Sequence, residues 1–240
     1  MDAKEKRALA TGAFFAAVKA CDPAMLIRKS VSVHGGTLAV DGTAFPARRV
    51  YVVGMGKASG AMAQEFEGIV RVDAGVVAVP EGTSSRWDAK NIRLMESTHP
   101  FPSAKSVAAA KAMFALAKKA RKGDLVVCLI SGGGSSLVEL PRKGISIAQL
   151  AEVSRLLMNA GAPIGELNCV RSCLSQVKCG GLAAAFGGAT IVNLAISDVL
   201  GSPLQVIASG PTVEGKTDPA AAKSILTARG VSASPAGKAA

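Results

Sequence analysis

Ser131-Gly-Gly-Gly-Ser-Ser136 concentrates hydroxyls and unhindered backbone at one point of the chain. Glycine takes left-handed conformations at little cost, so Gly132, Gly133 and Gly134 let several N–H groups converge, and Ser131, Ser135 and Ser136 add hydroxyls. A concave set of donors suits an anion, most often a phosphate; a tight turn with no ligand is the plainer alternative. Lys57, in Gly54-Met-Gly-Lys57, stands at the start of an expected helix. A cation there opposes the helix dipole and is favourable only beside an anion. Asn168 and Arg171 lie close together, and a guanidinium beside an amide suits a carboxylate or phosphate held by paired hydrogen bonds. Lys178 follows, ahead of Cys179-Gly-Gly181. His99, in Thr98-His-Pro-Phe-Pro-Ser103, either orients a ligand or caps local backbone. Asp198 closes an expected strand, a position for a metal-binding or proton-accepting carboxylate, with a turn or N-cap aspartate as the alternative.

These residues fall in loops, and the elements before the loops must aim them. Leu125-Val-Val-Cys-Leu-Ile130 is an unbroken apolar run, the pattern of a strand buried on both faces. Similar runs stand at 50–53, 75–79, 92–95 and 190–196. Helices are expected over 4–20 (amphipathic), from about 60 to 70, over 104–122 with Ser103 as cap and Gly123 as stop, over 147–160 with a Ser146/Gln149 capping box, near 172–186, and from Pro219 to a stop at Gly230. Residues 24–47 read as irregular with a small hairpin. Strands alternating with helices predict an α/β fold, Rossmann-like, with three α/β/α layers and a mostly parallel sheet. In such a sheet the loops at the carboxyl ends gather at one edge, where ligands bind. The expected domain covers residues 1–230, with 231–240 a flexible tail.

Composition narrows the function. Of 240 residues, 49% are hydrophobic but only 4% aromatic, so the core is aliphatic. The formal net charge of +11 points to an anionic partner. The basic residues are scattered and no aromatics interleave with them, which argues against nucleic acid. No run of about 18 uncharged apolar residues resembles a membrane span, and the charged start is unlike a signal peptide. A cytoplasmic protein with its five cysteines reduced is expected. No CxxC pair and only two histidines make a zinc site poorly supported. No GxxxxGK[ST] or GxSxG pattern is present, and Gly54-Met-Gly-Lys-Ala-Ser-Gly60 departs from the dinucleotide spacing.

Gly56-Lys-Ala58, Thr98-His-Pro100, Ser131-Gly-Gly-Gly-Ser135, Asn168-Cys-Val-Arg171, Leu174-Ser175 with Lys178, Ser197-Asp-Val-Leu-Gly201 and Ala208-Ser-Gly-Pro-Thr212, taken in order, resemble the glycerate 2-kinase family, some of whose members were once labelled hydroxypyruvate reductases. The resemblance runs from about residue 8 to 230. It implies ATP- and Mg²⁺-dependent phosphorylation of D-glycerate at the 2-hydroxyl. On that footing Lys57, Lys178 and Asp198 are catalytic, with Asp198 also the Mg²⁺ ligand. Ser131, Gly132, Gly133, Gly134, Ser135 and Ser136 hold the phosphates, and Asn168, Arg171 and His99 hold the substrate. The chain departs from the family pattern at Cys173, where a histidine is usual, in Lys178-Cys-Gly-Gly181, and at Ser103 and Ser202, where aspartates are usual. Family members carry a further C-terminal domain, so the resemblance implies that this domain or a second copy in a homodimer completes the site. The alternatives are a non-catalytic nucleotide- or phosphate-binding module and, from the Gly54-Met-Gly56 pattern, a nicotinamide-dependent hydroxypyruvate reductase.

Overall fold

The computed structural model describes every residue except Asp198, Leu200 and Ser202. α1 (Ala3–Ala20) and α2 (Pro23–Ser30) lead into an antiparallel sheet of β1 (Val31–His34), β2 (Thr37–Val40) and β3 (Thr43–Phe45). β4 (Val50–Met55), α3 (Ser59–Ile69), β5 (Ala74–Pro80), β6 (Ile92–Ser97), α4 (Ala104–Ala117) and β7 (Leu125–Ser131) follow. Next come α5 (Gly134–Leu137), α6 (Ile147–Asn159), α7 (Ile164–Leu174), α8 (Gly181–Ala185), β8 (Thr190–Ile196), α9 (Pro219–Ala228) and α10 (Pro235–Ala239).

The main sheet has five strands in the order β6-β5-β4-β7-β8, all neighbours parallel. The expected Rossmann-like α/β/α architecture is therefore present. Side chains alternate between its faces, as strand geometry requires. Tyr51, Val53, Met55, Val126, Cys128 and Ile130 pack on Ala109, Ala110 and Met113 of α4. Val52, Val77, Val127 and Leu129 pack on Met62, Ala63 and Phe66 of α3, with Ile27 of α2 and Leu38 of β2 behind them. A third cluster, built on Leu150, Val153, Leu157, Val170, Leu174 and Leu226, joins α6, α7 and α9.

Chain order reverses between β4 and β7, which lie side by side although β5 and β6 come between them in sequence. Such a switch point opens a crevice at the carboxyl ends of the strands. The loops that start at Gly56 and Gly132 leave from that crevice.

Several expectations need correction. Residues 231–240 are not a loose tail: Ser234 caps α10 through a 2.9 Å bond from the Gly237 amide, Pro235 opens the helix, and Val231 and Ala236 are buried in the third cluster. No helix runs through 172–186. α7 starts earlier and ends at Leu174, and the chain then pairs Ser175 with Pro141 and turns through Cys179 (φ 53°) and Gly180 (φ 81°) before α8. α4 stops at Ala117, and the Arg121 guanidinium caps the carbonyls of Lys118 and Ala120 at 2.6 and 2.8 Å.

The antiparallel sheet replaces the single hairpin expected within 24–47. α1 begins on an Asp2/Glu5 capping box as a good helix should, but none of its residues is buried. From Ala8 to Val18 it carries no charge on any side, so it has no polar face to turn outward. Among the described residues no single helix is long and apolar enough to cross a membrane; α1 and α2 reach that length and composition only as a pair bent by 54°.

Gly56 tests the β4–β7 contact. Its φ is 137°, and a Cβ there would lie 2.5 Å from the Ser131 carbonyl oxygen. Gly56→Ala is expected to cost roughly 2–4 kcal/mol through overpacking and backbone strain, read as a lower urea midpoint. An unchanged midpoint would mean that the two strand ends separate freely.

Candidate functional site

The crevice is built by two loops that hold each other. The Lys57 amide donates to the Gly132 carbonyl (3.0 Å), and the Ala58 amide donates to Ser131 Oγ (3.0 Å). Ser59 Oγ donates to the Leu129 carbonyl at 2.9 Å from beneath. Ser131 is buried and its hydroxyl is committed to this brace. Ser136 is buried as well, its hydroxyl donating to the Gly133 carbonyl at 3.1 Å. Of the loop's three serines, therefore, only the half-buried Ser135 turns its hydroxyl along the site, toward Ser209 Oγ at 2.9 Å. Of the three glycines only Gly133 is left-handed (φ 87°), and buried Gly134 is pressed against Met55 and Ala208.

Lys57 and His99 meet at Gly133. A Cβ on Gly133 would lie 3.0 Å from His99 Cδ2 and 3.4 Å from Lys57 Cε. Both side chains are exposed at the mouth of the crevice. Desolvation, and after it the Lys57 charge, lower the His99 imidazole from its ordinary value, so the ring is neutral at pH 7. An exposed ammonium, a neutral imidazole and a glycine with no side chain between them make a recess open to an anion.

A second group lies on the other side of the loop. Asn168 and Arg171 occupy one face of α7, three residues apart as helix geometry requires. Asn168 Oδ1 accepts from Ser209 Oγ at 3.2 Å. Arg171 Nη2 donates to the Ser135 carbonyl at 3.3 Å, while its Nε is buried without a partner among the described residues. Burial lowers the guanidinium from its usual range. Lys178 Nζ donates to the same carbonyl at 2.8 Å and lies 2.9 Å from Glu139 Oε2, with both side chains fully buried. Burial pulls the Lys178 ammonium down to about 8, against the opposing pull of Glu139. Lys178 thus acts on the loop and is not open to the crevice. Asp198 lies outside the described residues.

Glu139 escaped the sequence reading, and Ser209 entered it only within the Ala208–Thr212 motif, with no role assigned. Glu139 stands as the lone charge in Leu137-Val-Glu-Leu140, which is a legible sign of a buried, partnered group. Ser209 follows Ala208, and with Gly210 these are three consecutive left-handed residues (φ 50°, 63° and 58°), a conformation that sequence does not announce for alanine. Glu166, two residues before Asn168 on α7, pairs with Arg229 at 2.8 and 3.0 Å.

A sequence family described as a domain of unknown function, DUF4147, matches residues 9–239. The chain belongs to this family. The DUF4147 chain is 43% identical over 211 residues to a glycerate 2-kinase of Pyrococcus horikoshii, covering 88% of itself and 47% of that relative. It is 40% identical over 232 residues to a glycerate kinase of Danio rerio, covering 90% of itself and 46% of the relative. Among solved structures, the PH0495 protein of Pyrococcus horikoshii superposes with a TM-score of 0.88 at 38% identity, over 99% of the DUF4147 chain and 54% of its own. A glycerate kinase of Thermotoga maritima superposes with a TM-score of 0.85 at 30% identity, over 98% and 55%. The DUF4147 chain thus spans about half the length of the curated relatives it matches. The resemblance to glycerate kinases drawn from the ordered motifs is borne out.

Backbone strain marks the far wall of the site. Left-handed alanine costs about 1–2 kcal/mol, and such strain concentrates at functional positions. Ala208→Gly is expected to stabilise the chain by about 1 kcal/mol in urea unfolding, since glycine relieves the strain at some entropic cost. A destabilised variant would mean that the Ala208 methyl, which packs against the loop, matters more than its φ.

Proposed function

We propose that this chain carries the phosphate- and substrate-binding half of an enzyme that transfers a phosphoryl group from ATP to the 2-hydroxyl of D-glycerate. The observation that carries the reading is the pair of cationic positions astride one loop: Lys57 with His99 over Gly133, and Arg171 at Ser135. The relatives named glycerate kinase supply the substrate class. Phosphoryl transfer needs positioning and charge neutralisation more than covalent chemistry by the protein, and this geometry offers both.

In this reading the phosphates sit over Gly133, where a side chain would fill the space, and Lys57 offsets charge on the transferring group. His99, neutral and adjacent, donates to or accepts from the bound substrate. Arg171 Nε, buried and unpartnered among the described residues, has an unused donor for glycerate's carboxylate, with Asn168 beside it. Mg²⁺ binds mainly through phosphate oxygens and one or two carboxylates, so one protein carboxylate would suffice to hold it. Asp198 is the proposed protein ligand, or the acceptor of the hydroxyl proton. When bound, the ion would neutralise charge on the phosphates. A second half, either the remaining length of the relatives or a second copy of this chain, completes the cleft.

The test is ATP-dependent phosphorylation of D-glycerate followed by ³¹P NMR, which separates the 2- from the 3-phosphate. Lys57→Ala is expected to lower kcat by about 10²–10³-fold, the usual loss on removing one charge-stabilising donor. Full turnover by that variant would remove Lys57 from catalysis. No turnover by the parent chain would leave a non-catalytic phosphate-binding module.

A further inference from the structure

The cluster behind the loop has an uneven charge balance. Lys178 Nζ and Arg171 Nη2 both donate to the Ser135 carbonyl, at 2.8 and 3.3 Å. Two cations therefore converge on one oxygen, and the carboxylate whose charge both feel is Glu139. Glu139 is fully buried and firmly held: its Oε1 accepts from Ser175 Oγ and, at 3.0 Å, from the Leu140 amide. Ser175 Oγ in turn accepts the amides of Val177 and Lys178 at 3.1 and 3.2 Å, which fixes the backbone that presents Lys178. Oε2 remains for the Lys178 ammonium at 2.9 Å.

A buried ion pair of this kind is poor evidence of stabilisation, because desolvation offsets most of the attraction. Its placement is more informative. Glu139 cancels Lys178 and leaves Arg171 uncompensated among the described residues, with its Nε buried and lacking a partner among them. We propose that Glu139 is a positioning residue for the anion site: it holds Lys178 against the Ser135 carbonyl and so sets the turn that carries Ser135, leaving Arg171, on the Asn168 side of the loop, as the charge an incoming carboxylate meets there. This inference rests on the reading of Arg171 and Asn168 as the carboxylate subsite.

The experiment is calorimetric titration of the full chain with D-glycerate, which stays ionised throughout, between pH 6.5 and 9.5. Four proteins are compared: the parent, Glu139→Gln, Lys178→Met and the double variant. Each single substitution leaves a buried charge unpaired and is expected to lower both melting temperature and affinity. The double variant conserves the net charge and is expected to recover melting temperature while binding about tenfold more weakly than the parent, because the Ser135 carbonyl has lost its lysine.

Lys178 faces only Glu139 and Arg171 as charged groups among the described residues. Its proton leaves as pH rises through about 8, so the parent's affinity is full below that pH and falls above it. In Glu139→Gln the midpoint moves lower, since Glu139 favours the charged lysine.

Parent-like affinity in the double variant, or a parent affinity flat across pH 8, would overturn the proposal and leave the pair merely structural. The parent's pH series decides the question even if the variants do not fold. Absence of binding by the parent at every pH would overturn the carboxylate-subsite reading, and this inference with it.

Discussion

At the ends of β4 and β7, Gly56 lies so close to Ser131 that a single added carbon would meet the Ser131 carbonyl oxygen at 2.5 Å. That approach lets the Lys57 amide reach the Gly132 carbonyl and the Ala58 amide reach Ser131 Oγ. Parallel pairing along the full register, from Val50–Leu125 to Met55–Ile130, delivers both loops to the same level. Strand pairing thus becomes site geometry with no flexible intermediary. Lys57 hangs on the loop after β4, His99 on the loop after β6, and the recess at Gly133 belongs to the loop after β7, so their spacing is set by the sheet.

The same architecture handles charge unevenly. Most ion pairs lie at the surface, such as Lys105–Glu81 and Arg155–Glu152, where solvent screening leaves them little energetic weight. Among the described residues Lys178–Glu139 is the exception, with both side chains fully excluded from water. A buried pair is retained at a desolvation cost, and a well-packed apolar pair would often serve stability as well. Its presence directly behind the Ser135 carbonyl ties that cost to loop placement. Ala208 and Ser209 supply a comparable strain across the loop.

Much of this was legible in the sequence. The five apolar runs became the five strands of the sheet, and β8 fell on 190–196 as expected. The loops that could do chemistry were found because glycine clusters after apolar runs have few other uses. What sequence did not reveal was which polar atoms the fold consumes. Ser131 and Ser136 look like ligand donors until the approach of β4 and a tight turn claim their hydroxyls. Lys178 looks like a free cation until Glu139, thirty-nine residues earlier, meets it in the interior. Segment 231–240 read as a linker because small polar residues suit linkers, yet Ser234-Pro235 is also a cap followed by a helix-starting proline. Local composition cannot separate those meanings; the apolar cluster of α6, α7 and α9, into which Val231 and Ala236 pack, decides between them.

The formal charge of +11 takes on a narrower meaning against this geometry. A diffuse surplus steers anions toward a surface but cannot orient them. Orientation needs charges whose own partners are fixed. At Gly133 the fixed elements are a lysine and an imidazole kept neutral partly by that lysine. At Ser135 they are a guanidinium left over after Glu139 has cancelled the neighbouring ammonium. One position keeps its charge exposed for a mobile, highly charged group. The other keeps it buried, where a single negative charge is felt most strongly. Under the proposed function, a small molecule with a carboxylate at one end and a phosphoryl acceptor beside it would use both positions. Inorganic phosphate would use only one.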